Sequence, residues 1–413
     1  MVKIISKKIT EYKTVIGIMT GTSLDGVDTL VTRIKGRGVS TRHENLCFKV
    51  FEIPSALKER MRSIMRDKTA ALEEICRINF ELASLYAGCI KKICRASGVG
   101  IEDIDFAGIS GQTFFHVPGE ATLQLGSGSA LSGILDLPVV WDFRAADIAA
   151  GGQGAPLVPY LDFVLFSALK RDIITLNIGG ISNITHIPAA GGFHAVKAFD
   201  CGPGNMIIDK MVIEMTGGRK KYDKDALIAR CGKSAPELFN MMKSHPYLQK
   251  APPKSTGREA FGDGYARGLI DFCKTAGISF PAMIRTAAEF TAYCVIEDIK
   301  KHIAPGFAAS GVKKTPDRRP LLVCAGGGAD NPLIFEALKK GAADAGIETV
   351  HSNSMGVDSK SKEALLIAVL ANETIYGHAS NAPSATGAKK SVVCGSVAYQ
   401  PRRPHPKNAR RIK

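Results

Sequence analysis

Residues 14–28 read TVIGIMTGTSLDGVD, a short apolar run that ends in a turn of Gly, Thr, Ser and Asp. Similar runs end in small or polar residues at 104–113 (IDFAGISGQT), 139–144 (VVWDFR), 173–183 (IITLNIGGISN) and 321–331 (LLVCAGGGADN). Apolar strands that end this way and feed helices are typical of α/β domains. Ligands of such domains bind beyond the carboxyl ends of the strands. The sequence therefore predicts an α/β fold with a ligand site at these turns.

The first of these turns has an echo further along the chain. Gly21-Thr22-Ser23 follows one apolar strand, and Gly179-Gly180-Ile181-Ser182 follows another about 160 positions later. This spacing indicates two related halves. Coincidence is the alternative, because 42 of the 413 residues are glycine, which exceeds the usual share of about 7%.

Composition restricts the class of protein. A chain of 413 residues with 45% hydrophobic residues is long enough for two domains. The charged fraction of 23% and the aromatic fraction of 7% exclude wholesale disorder. No apolar run approaches the roughly 18 residues of a membrane span, and the N-terminus lacks the pattern of a signal peptide. Ten cysteines without a CxxC pair indicate free buried thiols in a reducing compartment, so we predict a cytoplasmic protein.

The charge of the chain is strongly positive but unevenly placed. The formal net charge is +15, and residues 401–413 (PRRPHPKNARRIK) carry six Lys or Arg and no acid. A second basic cluster has loop composition and consists of Lys313, Lys314, Arg318 and Arg319. Neither cluster is interleaved with aromatic residues or set in a nucleic-acid-binding motif. The pattern favours a solvated tail and loop, and we predict no nucleic-acid partner.

The glycine turns suggest phosphate chemistry. The chain has neither a Walker A sequence nor a GxGxxG motif after a strand. Glycines let backbone N–H groups approach a phosphate closely, and Asp25, Asp28 and Asp200 beside the turns could serve Mg²⁺, which needs one or two carboxylates plus phosphate oxygens. Tight turns of a compact fold are the alternative for each turn taken alone. Together they favour a nucleotide with its Mg²⁺.

The stretch 141–159, WDFRAADIAAGGQGAPLVP, places carboxylates directly after an apolar strand. A carboxylate at Asp142 would lie at the mouth of the predicted ligand site. The alternative is that Asp142 or Asp147 caps the following helix by accepting backbone N–H bonds. Composition does not decide between these two interpretations.

Nine words in order resemble the anhydro-N-acetylmuramic acid kinase family over about residues 14–400. They are GIMTGTSLDGVD (17–28), SGQT (110–113), DFRAADIAAGGQGAPLVP (142–159), LNIGGISNIT (176–185), FDCGPGN (199–205), PPKSTGRE (252–259), AEFTA (288–292), CAGGGADNP (324–332) and PSATGA (383–388). The resemblance implies a two-lobed actin-like ATPase fold, with ribonuclease-H-like α/β lobes that close over a nucleotide cleft. We assign 1–140 plus about 377–400 to lobe I, 141–376 to lobe II, and 401–413 to a basic disordered tail.

The resemblance also assigns roles to residues. It implies that Asp142 is the catalytic base, and Glu289 is either a second carboxylate that orients water or a helix-surface residue without a role. It implies that Gln112, Arg144 and Gln153 line the sugar side, and that Asp25 and Asp200 hold the metal. The implied nucleotide-binding residues are Gly21, Thr22, Ser23, Leu24, Asp25, Gly26, Val27, Asp28, Asn177, Gly179, Gly180, Gly202, Gly204, Asn205, Gly326, Gly327 and Gly328.

The implied reaction is the ATP-dependent, Mg²⁺-dependent opening and phosphorylation of 1,6-anhydro-N-acetylmuramic acid. Two positions depart from the family pattern: Ser110 stands where the family usually has His, and Asp330 where Arg is common. The first departure keeps levoglucosan, the plain 1,6-anhydroglucose, open as the substrate. A sugar- or nucleotide-binding regulator that has lost turnover is the alternative from another class. A homodimer is also left open.

Overall fold

The computed structural model describes residues 7–309 and 318–400. The chain divides into two compact units: the first is Met1–Val164 with Ser361–Lys413, and the second is Leu165–Lys360. The predicted tail 401–413 and two members of the basic loop, Lys313 and Lys314, lie outside the described residues.

Strands and helices occur in runs along the chain. In chain order the strands are β1 (Lys13–Thr20), β2 (Val27–Lys35), β3 (Arg42–Phe51), β4 (Phe106–Val117), β5 (Ala121–Leu125), β6 (Val139–Trp141), β7 (Ile173–Ile178), β8 (Ile181–Ile187), β9 (Lys197–Pro203), β10 (Leu321–Ala325), β11 (Glu348–His351) and β12 (Ser396–Ala398). The helices are α1 (Ser55–Asp67), α2 (Leu72–Ser97), α3 (Gly128–Leu135), α4 (Ala145–Ala149), α5 (Val158–Phe166), α6 (Met206–Met215), α7 (Pro236–Lys243), α8 (Arg258–Phe261), α9 (Asp263–Thr275), α10 (Phe280–Asp298), α11 (Ala304–Ala309), α12 (Pro332–Ala343), α13 (Lys362–Ile375) and α14 (Pro383–Thr386).

Each unit contains one mixed sheet. The sheet of the first unit has the order β12-β6-β4-β1-β2-β3, and β5 pairs with β4 outside this path. The sheet of the second unit has the order β11-β10-β7-β8-β9. In each sheet the first strand along the chain pairs antiparallel with the second and parallel with the fourth, β1 with β2 and β4, and β7 with β8 and β10.

The two sheets therefore repeat one topology, in which a three-stranded antiparallel meander is extended by parallel strands. The predicted pair of ribonuclease-H-like α/β units is confirmed by this repeat. The two similar glycine turns occupy equivalent positions, one between β1 and β2 and the other between β7 and β8. Each unit has its own apolar core, with α2 over the first sheet and α10 in the second core. Over the described ranges 7–309 and 318–400, no helix is long and apolar enough to cross a membrane.

The unit boundaries differ from those that we predict from the sequence. The first unit extends past residue 140 to Val164 and resumes at Ser361 instead of about 377. Helix α13 explains the second difference, because it packs on β1, β2 and β4. The first difference follows from Asp147, whose carboxylate accepts hydrogen bonds from Asn381 and Thr386 and so ties the segment after β6 to the first unit.

Two glycines let α13 lie against the sheet at very short range. Gly17 and Gly108 are paired neighbours on β1 and β4. A Cβ on Gly17 would overlap the carbonyl oxygen of Ala364, and one on Gly108 would lie 2.8 Å from the Cβ of Ala371. From Ala364 to Glu373 every residue of α13 is buried. The packing of α13 on the sheet of the first unit therefore requires glycine at positions 17 and 108.

We expect Gly17→Ala to destabilise the first unit by about 1–3 kcal/mol, the usual cost of an inserted methyl group that backbone must move to accept. Gly88→Ala in α2 is the matched control, because a Cβ there meets nothing within 4 Å and alanine favours a helix over glycine by about 1 kcal/mol. Thermal unfolding of both variants measures the difference. Equal melting temperatures for Gly17→Ala and wild type would contradict the packing argument.

Candidate functional site

The first glycine turn is a tight connection between β1 and β2. The N–H of Leu24 donates to the carbonyl of Gly21 at 3.1 Å, and Leu24 has a φ of 57°, in the left-handed region. A Cβ on Gly26 would lie 2.5 Å from Cγ1 of Val50. Gly21, Thr22, Ser23, Leu24, Asp25, Gly26, Val27 and Asp28 thus form one continuous turn and strand start. The segment is a turn that follows an apolar strand, as the sequence predicts. Its nucleotide-binding role stays a prediction.

At this turn, neighbouring carboxylates influence the pKa of Asp28. Burial, together with the charges of Glu363 and Asp25, raises the pKa of Asp28 to about 6. Burial also raises the pKa of Glu363, which lies in the first turn of α13. Glu363 is a residue that sequence reasoning missed, because only the packing of α13 against β2 brings it near Asp28. Across residues 7–309 and 318–400, no three His, Cys, Asp or Glu side chains form a metal-holding group; Mg²⁺ requires fewer, since phosphate oxygens and water complete its shell.

The corresponding turn of the second unit, between β7 and β8, is joined to the start of α6 by backbone hydrogen bonds. The N–H groups of Gly204 and Asn205 donate to the carbonyls of Gly180 and Gly179, each at 2.8 Å. This places the start of α6 against the β7–β8 turn. A Cβ on Gly204 would overlap the carbonyl oxygen of Gly179. The close approach therefore depends on the absence of a side chain at position 204.

The turn after β10 joins the same cluster. The N–H of Gly328 donates to the carbonyl of Ile178 at 2.9 Å. A Cβ on Gly326 would lie 2.8 Å from Oδ1 of Asn177, and one on Gly327 would lie 3.7 Å from Nδ2 of Asn205. The structure thus brings together most of the predicted second-unit residues: Asn177, Gly179, Gly180, Gly204, Asn205, Gly326, Gly327 and Gly328. Gly202 differs, because it lies within β9, where its carbonyl accepts a hydrogen bond from the hydroxyl of Ser182.

Asp200 on β9 is tied to the segment that carries the word PPKSTGRE. Its Oδ2 accepts the N–H of Thr256 at 2.9 Å, and its own N–H donates to the carbonyl of Lys254 at 3.1 Å. Burial raises the pKa of the Asp200 carboxyl, against the hydrogen bond from Thr256 and the charge of Lys254. Lys254 forms an ion pair with Asp298 at 2.8 Å, and both side chains are at most 5% exposed. This buried pair anchors the segment that positions Asp200.

Asp142 lies immediately after β6 with a φ of 60°, a left-handed conformation that Asp tolerates better than most residues. Burial raises the pKa of its carboxyl, and a hydrogen bond from the backbone of Ala145 opposes this shift. That hydrogen bond is the contact that the helix-cap interpretation predicts, although Arg144 occupies the N-cap position of α4. Asp142 has no ion-pair partner within the described parts of the chain, and its role as the catalytic base stays a prediction.

The neighbouring Asp147 has a structural role. It is fully buried, its Oδ2 accepts the N–H of Gly154 at 2.8 Å, and its Oδ1 accepts Nδ2 of Asn381 and Oγ1 of Thr386, each at 2.8 Å. Its carboxylate thereby joins the loop after α4 to the segment around α14. The two aspartates that sequence alone could not separate therefore differ in their partners.

Arg144 and Gln153 lie beside the same loop. Nη1 of Arg144 donates to the carbonyl of Gly154 at 2.7 Å, and the N–H of Gln153 donates to the carbonyl of Thr386 at 2.8 Å. His116 on β4 joins them, since its ring contacts Oγ1 of Thr122 at 3.1 Å and the backbone of Gln153. Burial and the charge of Arg144 lower the pKa of His116. Sequence reasoning missed His116, for which the only signal was its place three residues after SGQT.

Ser110 and Gln112 lie on β4, next to Thr20 at the end of β1. Oγ of Ser110 accepts the N–H of Thr20 at 3.2 Å and donates to the carbonyl of Gly111 at 2.9 Å. Ser110 is thus bonded to the residue that precedes the first glycine turn. Gln112 is fully buried and pairs with Thr20 across the sheet. Its predicted contact with a sugar is untested.

Glu289 lies on α10, where its Oε1 accepts Nε of Arg285 at 2.8 Å. The pair is one helical turn apart and partly exposed, as in an ordinary helix-surface ion pair. Asp142 belongs to the first unit and Glu289 to the second. The catalytic role of Glu289 therefore stays a prediction.

The cysteines agree with the sequence in being free, and seven of the ten are buried. The prediction of buried thiols is wrong for Cys76 and Cys231, which are exposed, and for Cys47, which is intermediate. Cys76 lies on the long helix α2, whose buried face is formed by other residues.

Similarity to known proteins extends over nearly the whole chain. The family model for anhydro-N-acetylmuramic acid kinase matches residues 13–400. A protein of that name from Caldanaerobacter subterraneus subsp. tengcongensis is 36% identical over 396 residues, which cover 94% of this chain and 97% of the relative. One of the same name from Clostridioides difficile (strain 630) is 37% identical over 392 residues, 94% of this chain and 98% of the relative. A solved structure, the activator of the 2-hydroxyisocaproyl-CoA dehydratase from Clostridium difficile with bound ADPNP, is 12% identical with a TM-score of 0.42 and covers 89% of this chain and 96% of its own. From the family match and the two relatives of that name, the chain belongs to the anhydro-N-acetylmuramic acid kinase family, whose members are phosphotransferases.

Proposed function

We propose that this protein opens the 1,6-anhydro bridge of anhydro-N-acetylmuramic acid by hydrolysis and phosphorylates O6, with ATP as the phosphoryl donor. The products are N-acetylmuramic acid 6-phosphate and ADP, which suits the recycling of cell-wall amino sugars in the cytoplasm. The observation that carries the proposal is Asp142: a half-buried carboxylate with a raised pKa and without an ion-pair partner in the described residues, on a chain of this family.

Asp142 would act as the general base. Its carboxylate removes a proton from a water molecule, and that water attacks C1 of the sugar. The C1–O6 bond breaks, its electron pair goes to O6, and O6 accepts the phosphoryl group in place of a proton. A separate general acid, which ordinary inverting glycosidases need, is therefore not required. Burial raises the pKa of Asp142 toward the pH of the cell, which makes it a stronger base once ionised.

The glycine turns are the segments that would hold the nucleotide. At Gly204, Gly326 and Gly328 a Cβ would collide with backbone or neighbouring side chains, so the close approach of these backbone segments depends on glycine. Asp25 with Asp28 would provide carboxylate oxygens for Mg²⁺, and Asp200 is the candidate in the second unit. When bound, Mg²⁺ neutralises charge on the phosphate oxygens. Burial raises the pKa of Asp28 most, and the charges of Glu363 and Asp25 add to it; a bound cation would oppose the contribution of these charges.

The levoglucosan alternative rests on Ser110, which replaces the usual His. In the structure Ser110 is bonded to the backbone of Thr20 and Gly111. This contact supports a role for Ser110 in holding the first glycine turn and gives no specific support to the smaller sugar. The non-catalytic alternative is disfavoured by the presence of Asp142 and of both glycine turns.

Anhydro-N-acetylmuramic acid and levoglucosan should be tested side by side, with ADP release and the phosphorylated sugar as readouts. We expect turnover of the former, and loss of turnover when EDTA removes Mg²⁺. In H₂¹⁸O the label should appear at C1 of the product. ADP release with neither sugar would favour the regulator, unchanged turnover in EDTA would refute the metal assignment, and ¹⁸O in the phosphate would mean that ATP hydrolysis is uncoupled from ring opening.

A further inference from the structure

Thr291 is the buried polar member of the word AEFTA (288–292) on α10. Its side chain is 1% exposed, whereas Glu289 of the same word belongs to a partly exposed ion pair on the helix surface. Oγ1 of Thr291 donates to the carbonyl of Gly204 at 3.1 Å, and it lies 3.3 Å from the carbonyl of Ala287, one helical turn earlier. The hydroxyl therefore connects α10 to the segment between β9 and α6.

The contact between Thr291 and Gly204 differs from the usual contact of a threonine in a helix, which bonds the carbonyl four residues earlier. Thr286 on the same helix makes that usual contact. Its Oγ1 donates to the carbonyl of Ala282 at 2.7 Å and accepts the N–H of Ala235 at 2.9 Å. A hydroxyl has one proton, and at Thr291 the shorter contact is the one that leaves the helix. Gly204 is therefore the better-placed acceptor.

Gly204 lies where the backbone has little freedom to move. Its N–H donates to the carbonyl of Gly180 at 2.8 Å, and a Cβ at this position would overlap the carbonyl oxygen of Gly179. The next residue, Asn205, donates its N–H to the carbonyl of Gly179 at 2.8 Å. The N–H of Gly204 is thus bonded to the β7–β8 turn and its carbonyl to α10. Thr291 supplies the second of these two attachments.

The first unit has a comparable contact beside its own glycine turn. The hydroxyl of Tyr86 on α2 lies 2.9 Å from Oγ1 of Thr20, and Oγ1 of Thr20 donates to the carbonyl of Gly111 at 3.2 Å. Tyr86 is therefore the donor to Thr20, which immediately precedes Gly21. Helices α2 and α10 each precede the fourth strand of their sheet. In both units a buried hydroxyl of this helix bonds the chain next to a glycine turn.

We propose that Thr291 is a positioning residue for the nucleotide, because its hydroxyl fixes Gly204 and Asn205 against the β7–β8 turn. The inference rests on the proposed function, which assigns these segments to the nucleotide. A site that is already ordered binds more tightly than one that must be ordered when the ligand arrives. Release of the Gly204 carbonyl therefore weakens nucleotide binding, although Thr291 itself touches no reacting atom.

The test measures binding of a non-hydrolysable ATP analogue by calorimetry in wild type, Thr291→Val and Thr291→Ser. Valine has nearly the shape of threonine but no hydroxyl, so the buried carbonyl of Gly204 loses this donor. We expect Thr291→Val to bind the analogue about 10-fold more weakly, the usual effect when a buried acceptor loses its partner. KM for ATP should rise by a similar factor while kcat stays within about threefold, as when binding alone is affected. Thr291→Ser keeps the hydroxyl and should bind the analogue within about threefold of wild type.

Thr286→Val is the matched control, because it removes an equally buried hydroxyl from the same helix and leaves the N–H of Ala235 without this acceptor. We expect both valine variants to lower the melting temperature by similar amounts, and Thr286→Val to keep wild-type affinity for the analogue. The pair Thr291→Ala and Thr291→Ser repeats the loss of the hydroxyl in a smaller side chain, so the result does not depend on the folding of one variant.

Two results would overturn the inference: wild-type affinity in Thr291→Val, or equal losses of affinity in Thr291→Val and Thr286→Val. Failure of the proposed function looks different. If wild type binds the analogue but phosphorylates neither sugar, the proposed function is wrong, and the affinities of the variants still decide whether Thr291 positions the nucleotide. Absence of analogue binding by wild type would refute the role of Thr291 as well.

Discussion

Asp142→Asn should lower turnover of anhydro-N-acetylmuramic acid by at least about 100-fold, because general-base catalysis contributes typically 10²–10⁴-fold. Asparagine has nearly the same size as aspartate and tolerates the left-handed φ of 60° at this position. It also accepts the backbone hydrogen bond from Ala145 about as well as aspartate does. The variant should therefore fold normally and bind both substrates. Steady-state kinetics and thermal unfolding on one preparation check both expectations.

Asp136→Asn is the matched control for this variant. Asp136 is exposed at the end of α3 and has a φ of 52°, so the same change is made in the same backbone conformation of the same unit. We expect wild-type turnover and melting temperature for Asp136→Asn. A stable Asp142→Asn protein that still opens the bridge at a near wild-type rate would remove Asp142 from the mechanism and leave it as a helix cap.

The pH dependence of the wild type follows from the same carboxylate. Burial raises the pKa of Asp142 above its ordinary value of 3.8. Because the base must be ionised, kcat/KM should rise with pH through this raised pKa and level off above it. The acid limb should be absent from the residual activity of Asp142→Asn.

Lys254→Met should destabilise the second unit by about 3–5 kcal/mol, the usual effect of removing one partner of a buried ion pair. Lys254 and Asp298 are 1% and 5% exposed, so Asp298 would be left as a buried charge with His302, 3.7 Å away, as its nearest basic neighbour within the described chain. Burial raises the pKa of Asp298 and Lys254 opposes this, so the variant should also bind a proton at Asp298 more readily. Unfolding in urea, followed by circular dichroism, measures the loss.

The control for Lys254→Met is Lys210→Met in the same unit. Lys210 forms surface ion pairs with Glu214 and Asp263, whose loss costs about 0–1 kcal/mol. The double variant Lys254→Met with Asp298→Leu should recover most of the stability, since an apolar pair of similar volume often replaces a buried ion pair without loss. Lys254→Met with the unfolding midpoint of Lys210→Met would show that the buried pair contributes no more than a surface pair.

Local patterns predicted the fold well, because strands and turns leave a signature in adjacent residues. The run 14–28 became β1, its turn and the start of β2, and 173–183 became the corresponding hairpin of the second unit. The repeat of strand order explains why the two glycine turns look alike. The boundary of the first unit was predicted less well, because it depends on the packing of α13 against β1, and that contact is between segments more than 340 positions apart.

The same limit applies to the candidate site. Asp142 and Asp147 follow one strand and look equivalent in sequence, and only the hydrogen bonds from Asn381 and Thr386 show that Asp147 is structural. Glu363 influences Asp28 although 335 positions separate them. No spacing rule connects such pairs, since they are created by the chain returning to a sheet that it left much earlier.

The packing of α13 on Gly17 and Gly108 has a consequence for synthesis on the ribosome. The second unit, Leu165–Lys360, is continuous in the chain, so all its residues are available before α13 is made. The sheet of the first unit must wait for α13 and for β12, which ends at Ala398. At about 5–20 residues per second, the delay after Val164 is roughly 10–50 s. During that interval the apolar strands β1 and β4 lack the helix α13 that packs on them in the finished first unit.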